Sequence, residues 1–202
     1  MTAAAAWESS SDSLPTEIKA LLESSKDEAL VGQRLLIATP EWQVPLEGGE
    51  TTSNTDVLAI CRNDDGLCVI AVEAKVLEDF GPLLGEKRAK ASSGQIARLN
   101  YLHALLQVSH FDDSIRYQLL HRTASALLTA REFHAKSAMM LVHAFGSKPN
   151  LRADFEAFCA ALGGRELAPL IYKVPSFDRP CLYLAWCNGD DRFLNVELPS
   201  AL

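Results

Sequence analysis

The chain has 202 residues, 48% of them hydrophobic and 22% charged, with mean hydropathy close to zero. That is the composition of a globular domain with enough apolar material for a core, and it excludes a disordered chain, a collagen-like repeat and a disulfide scaffold. The net charge of −7 and a pI near 5.2 argue against a simple nucleic-acid coat protein.

Residues 1–13 are rich in alanine and serine and lack the basic start and apolar stretch of a signal peptide, so a disordered tail is expected there. Residues 14–202 then read as one domain. Pro15 opens a helical pattern carried by Ile18, Leu21, Leu22, Ala29 and Leu30. A short helix or strand around 35–37 follows, and 39–54, with Pro40, Pro45, Gly48 and Gly49, reads as turn. Two strands are predicted over 55–62 and 67–75, joined by the hairpin signal Asn63-Asp64-Asp65-Gly66. The second is apolar nearly throughout, as in a strand covered on both faces. A loop over 80–85, helices over 93–107 and 114–135, a buried strand over 137–145, a helix over 151–162 and one or two strands in 168–197 complete the chain. The alternation predicts an α/β fold with a central mixed β-sheet flanked by helices.

No apolar run reaches the ~18 residues that cross a bilayer, so no membrane association is expected. The five cysteines form no CxxC pair, which weakens a zinc ribbon or thioredoxin-type centre and fits reduced thiols in a cytoplasmic protein. The five histidines show no HxH or HExxH spacing, and no GxSxG, Walker A or GxGxxG motif is present. Charge is unevenly spread. Residues 1–86 hold 16 acids against 5 bases, and residues 87–152 hold 10 bases against 3 acids. The basic stretch could face a polyanion or be ordinary variation among solvated helix faces.

One constellation carries chemistry. Glu73-Ala74-Lys75 ends the most apolar strand, and two charges closing such a run are costly to bury unless paired or bound to an ion. Alternation puts Glu73 and Lys75 on one face. If the two strands pair through the turn, Asp56 comes opposite the end of the second, so two carboxylates and an ammonium converge. Such hard oxygen ligands suit Mg2+ or Mn2+ rather than zinc, with Lys75 placed to activate water or stabilise charge on phosphorus. The other Glu-x-Lys, Glu17-Ile18-Lys19, lies in a helical pattern without that context. An Asp and a Glu–Lys pair at strand ends can equally be a plain ion pair of under ~1 kcal/mol.

At these residues the chain resembles the PD-(D/E)XK, or restriction-endonuclease-like, nuclease superfamily. Asp56 matches its first acidic motif, and Glu73 with Lys75 its (D/E)xK motif. The resemblance covers roughly residues 15–145, and EAKVLEDFGP and RYQLLHRTASA are also similar to stretches of a bacterial group of undefined function. It implies a Mg2+-dependent phosphodiesterase acting on DNA, with Asp56 and Glu73 on the metal and Lys75 activating water. It also implies Gln95 on the following helix as a catalytic residue, Arg98 one turn on, and Glu17 or Glu28 as an optional acid of the first helix. Double-strand cleavage commonly needs two sites, which makes a homodimer an expected partner state. Lys87, Arg88, Lys90 and Arg98 are the candidates for the nucleic-acid backbone. Arg122, beside His121, either serves the site or is a structural arginine. The competing reading is a non-catalytic interaction or regulatory protein that keeps the same fold, which the acidic net charge favours.

Overall fold

The computed structural model describes residues 2–49, 51–146, 149–194 and 196. Its elements are helices α1 (Thr2–Ser9) and α2 (Thr16–Ser24), strands β1 (Arg34–Val44), β2 (Ser53–Arg62) and β3 (Leu67–Lys75), and helices α3 (Leu84–Ala89), α4 (Ser93–Leu105) and α5 (Tyr117–Glu132). Strand β4 (Ser137–Ala144), helix α6 (Pro149–Ala161) and strands β5 (Arg165–Ala168), β6 (Ile171–Asp178) and β7 (Cys181–Asn188) follow. The strands form one mixed sheet in the order β1-β2-β3-β4-β7-β6-β5. The fold is therefore α/β, a seven-stranded mixed sheet with helices on both faces.

Apolar continuity explains which strands are central. Every residue of β4 is buried, as are seven of the nine in β3, and these two pair in parallel from Cys68↔Ser137 to Lys75↔Ala144. On one face Leu58, Val69, Ala71 and Met140 pack beneath Leu119, Leu120 and Leu127 of α5. On the other, Val57, Ile70, Val72 and Leu141 pack against Ile18 and Leu22 of α2. The β2–β3 turn is an Asx turn: the Asn63 side-chain oxygen accepts the Asp65 and Gly66 amides at 3.0 and 3.1 Å, and its Nδ2 donates to the carbonyls of Glu28 and Val31 at 2.8 Å.

Four expectations change. Residues 2–9 are not a tail but a helix, because small alanines (Ala3, Ala5, Ala6) let it lie close on Phe145 and Phe193. Residues 39–44 are not turn but the second half of β1, paired from Thr39↔Leu58 to Val44↔Ser53. Pro40 is tolerated there because β1 is an edge strand, and Glu41 takes a φ of +51°. Helix α3, which was not expected, begins at Leu84 inside the loop expected over 80–85, and α5 begins at Tyr117 rather than 114. The one or two strands expected in 168–197 are β6 and β7, with the short β5 preceding them; the end of that range at 197 lies outside the described residues. No described helix is long and apolar enough to cross a membrane.

Candidate functional site

The antiparallel register of β2 and β3 runs from Arg62↔Leu67 to Val57↔Val72, so one step further Asp56 stands opposite Glu73. Since Leu58 and Ala71 belong to the core beneath α5, alternation turns Asp56, Glu73 and Lys75 toward that same helix. The three polar residues gather as the spacing predicts. Asp56 Oδ2 accepts the Ala74 amide at 2.7 Å, which fixes its carboxylate across the strand end. Lys75 Nζ lies 2.9 Å from Glu73 Oε1 and 5.4 Å from the centre of the Phe80 ring. Glu73 and Lys75 are only 2% and 4% exposed, so these charges depend on one another and on their neighbours.

Helix α5 supplies those neighbours. Gln118 and Arg122, one turn apart on one face, both reach Glu73: Gln118 Nε2 donates to Oε1 at 2.6 Å and Arg122 Nε donates to Oε2. Arg122 Nη1 also donates to Ser53 Oγ at 3.1 Å, and Ser53 Oγ lies 2.9 Å from His121 Nδ1. Arg122 thus pairs with a buried carboxylate of this cluster.

Electrostatics separates the titratable groups. Burial, reinforced by the facing Glu73, lifts the Asp56 carboxyl from 3.8 to about 6, against the opposing pull of the Ala74 amide, Arg122 and Lys75. Burial and the cations Arg122, Arg98, Lys87 and Lys75 push His121 down to about 3, so its imidazole is neutral at physiological pH.

Several expected participants stand elsewhere. Gln95 does not reach the carboxylates; exposed at the third position of α4, its Oε1 accepts the Ser92 amide at 2.9 Å in a capping box. The glutamine on Glu73 is Gln118. Arg98 is not available to a phosphate: buried, it donates to the carbonyls of Leu46, Glu47 and Gly49 and to Thr51 Oγ1, clamping the 46–51 loop. Gly48 and Gly49 make that clamp possible, since a Cβ at Gly48 would collide with the Arg98 backbone. Arg88 pairs with Asp113 and donates to the Phe111 carbonyl at 2.9 Å, which likewise occupies it. Lys87 does border the site, its Nζ 5.1 Å from the centre of the Tyr117 ring, while Lys90 is exposed at the end of α3. Neither first-helix acid joins. Glu17 pairs with His143 Nε2 at 3.1 Å, from the helix that covers the other face, and Glu28 lies by the Asn63 turn at the far end of β2. A cavity of about 710 Å3 at that turn, lined by Glu28, Asp64 and Asp65 together with Arg34 and Asn63, lies at the opposite end of β2 from Asp56.

One family model, described as a domain of unknown function, matches residues 1–191. The chain belongs to the DUF6946 family. No curated protein and no solved structure matches it. The DUF6946 match takes in α1 as well as the whole sheet, in keeping with an N-terminal helix that is part of the fold.

Among the described residues no group of three or more histidines, cysteines or acids is placed to hold a metal. The donors at the DUF6946 site are two carboxylates, one of them crowded enough to hold its proton up to about pH 6. Carboxylate oxygens are the hard donors that Mg2+ and Mn2+ take, but both Glu73 oxygens already accept from Lys75, Gln118 and Arg122, and Asp56 Oδ2 accepts the Ala74 amide.

Proposed function

We propose that the chain is a Mg2+- or Mn2+-dependent phosphodiesterase acting on DNA, built on a restriction-endonuclease-like core. The observation that carries this reading is the meeting of Asp56 and Glu73 on one face, with the Lys75 ammonium 2.9 Å from Glu73. The order α2-β1-β2-β3-α3-α4-α5-β4, with β4 parallel to β3, supports it as well.

Asp56 and Glu73 would hold the ion, which supplies Lewis-acid stabilisation of charge developing at phosphorus. Lys75, desolvated beside Glu73 and Phe80, orients the attacking water and offsets negative charge. Gln118 and Arg122 fix the Glu73 carboxylate, and an ion held there would have to share its oxygens with Lys75, Gln118 and Arg122. A cytoplasmic location belongs to the same proposal and is supported by Cys61 and Cys68, which face each other across β2 and β3 as free thiols.

The same clamp favours a second reading, a non-catalytic interaction or regulatory protein. With Lys75, Gln118 and Arg122 on it, Glu73 is already neutralised without a metal. Cleavage assays separate the two. Plasmid, linear and single-stranded DNA are incubated with Mn2+ and wild type or Lys75→Ala. Loss of cleavage in the variant is expected under the first reading; no cleavage by wild type on any substrate favours the second.

A further inference from the structure

Much of the basic stretch is already paired within the fold, some of it at the surface. Of the ten bases in 87–152, Arg88, Arg98, Arg116, Arg122, Lys136 and Arg152 each hold a carboxylate or a carbonyl of the fold. Lys148 lies outside the described residues, and Arg131 is exposed in the last turn of α5, away from the site. Of the rest, Lys87 borders the site and Lys90 is exposed at the end of α3. Two ammoniums on a chain of net charge −7 do not form the track of about six to ten phosphate contacts with which duplex binders hold DNA.

Lys75, rather than the carboxylates themselves, lines one of two adjoining chambers, both of them largely open to solvent. Lys75, Phe80 and Gln118 line the inner one, of about 320 Å3. Gly48, Ser53 and Gln95 line the outer one, of about 660 Å3, and Lys87, Tyr117 and His121 line both. The half-buried Tyr117 ring therefore stands at the junction, with the neutral His121 imidazole on the same helix face. Chambers of this size take a small ligand or one unit of a polymer, not a double helix.

We propose that this cleft takes a single strand of nucleic acid, a phosphate lying between Lys75 and Lys87 and the neighbouring base against Tyr117 in the outer chamber. The proposal rests on the phosphodiester reading and deepens it by naming the substrate class. Aromatic contact with unstacked bases gives affinity without a broad basic surface, whereas bases stacked inside a duplex cannot reach the ring. A single strand also needs only one site, so a homodimer is not required for turnover.

The test is fluorescence anisotropy without divalent cation, using a labelled DNA single strand of about 12 nucleotides and a hairpin duplex of the same sequence. The single strand is expected to bind at least about tenfold tighter, with a log–log salt slope no steeper than about −2. Tyr117→Ala is expected to weaken it about fivefold or more. Lys87→Ala, a change outside the core, is expected to weaken it and flatten the slope. Equal or tighter duplex binding, single-strand binding unmoved by both variants, or no single-strand binding at about 50 mM salt overturns the proposal. Cleavage in Mn2+, read on the same samples, separates the two claims. Single-strand preference without cleavage sinks the hydrolysis reading alone, and Asp56-dependent cutting of duplex in preference to single strand sinks the substrate proposal alone.

Discussion

Asp56→Asn is predicted to stabilise the folded chain at neutral pH. The carboxyl is lifted from 3.8 to about 6 because burial and Glu73 disfavour its charge more than Ala74, Arg122 and Lys75 support it. At about 1.36 kcal/mol per pH unit the ionised group costs the folded state at most about 3 kcal/mol. Asp56 is only half-buried, which reduces the expected gain to about 2 kcal/mol. The asparagine keeps the shape and can still accept the Ala74 amide. The sign follows from linkage. Between pH 3.8 and about 6 the folded state retains a proton that the unfolded chain releases, so this group's contribution falls as pH rises through that window and stays low above it. Urea unfolding of wild type and variant at pH 7.5 and near pH 4 measures it. The gain should be present at pH 7.5 and shrink to about 0.5 kcal/mol near pH 4. A variant less stable than wild type at pH 7.5, or a difference that ignores pH, would show that the site favours the charged carboxylate and refute the argument.

Three further outcomes are expected. Arg122→Met should cost about 3 kcal/mol in urea unfolding, because it leaves Glu73 buried with one cation fewer; a loss under about 1 kcal/mol would mark a pair no stronger than a surface one. His121 should show no NMR titration between pH 8 and 5, and, since the free imidazole protonates near 6.5 and the folded one only near 3, it should draw stability down as pH falls below about 6.5; a midpoint near 6.5 contradicts its burial among cations. Trp7→Ala should destabilise by about 3 kcal/mol, because Trp7 is buried with α1 against the fold, whereas a frayed tail would register nothing.

The central sheet was legible because its strands obey simple rules. β3 and β4 are apolar enough to be covered on both faces, and the Asn63–Gly66 turn sets the register that brings Asp56 to Glu73. What escaped were features decided by tertiary contact. An alanine-rich start reads as frayed until Phe145 and Phe193 offer it a surface. Pro40 reads as a turn until β2 gives its strand a partner on one side only. The glutamine that reaches Glu73 is Gln118, whereas Gln95, three residues after Ser92, matches a helix cap. Gln118 and Arg122, four apart on a helix otherwise turned to the core, carried the usable signal: two polar groups on one face need a buried partner. The cations Arg88 and Arg98 looked free only because the sequence does not show Asp113 or the 46–51 carbonyls beside them.

The account rests on Asp56 and Glu73 holding one divalent ion together, and calorimetric titration of Mn2+ into wild type and Asp56→Asn tests it most directly. One saturable site in wild type, abolished or strongly weakened in the variant, is the predicted result, accompanied by a rise in wild-type melting temperature with Mn2+ that the variant lacks. No saturable site in wild type, or the same binding heat in both proteins, would contradict it.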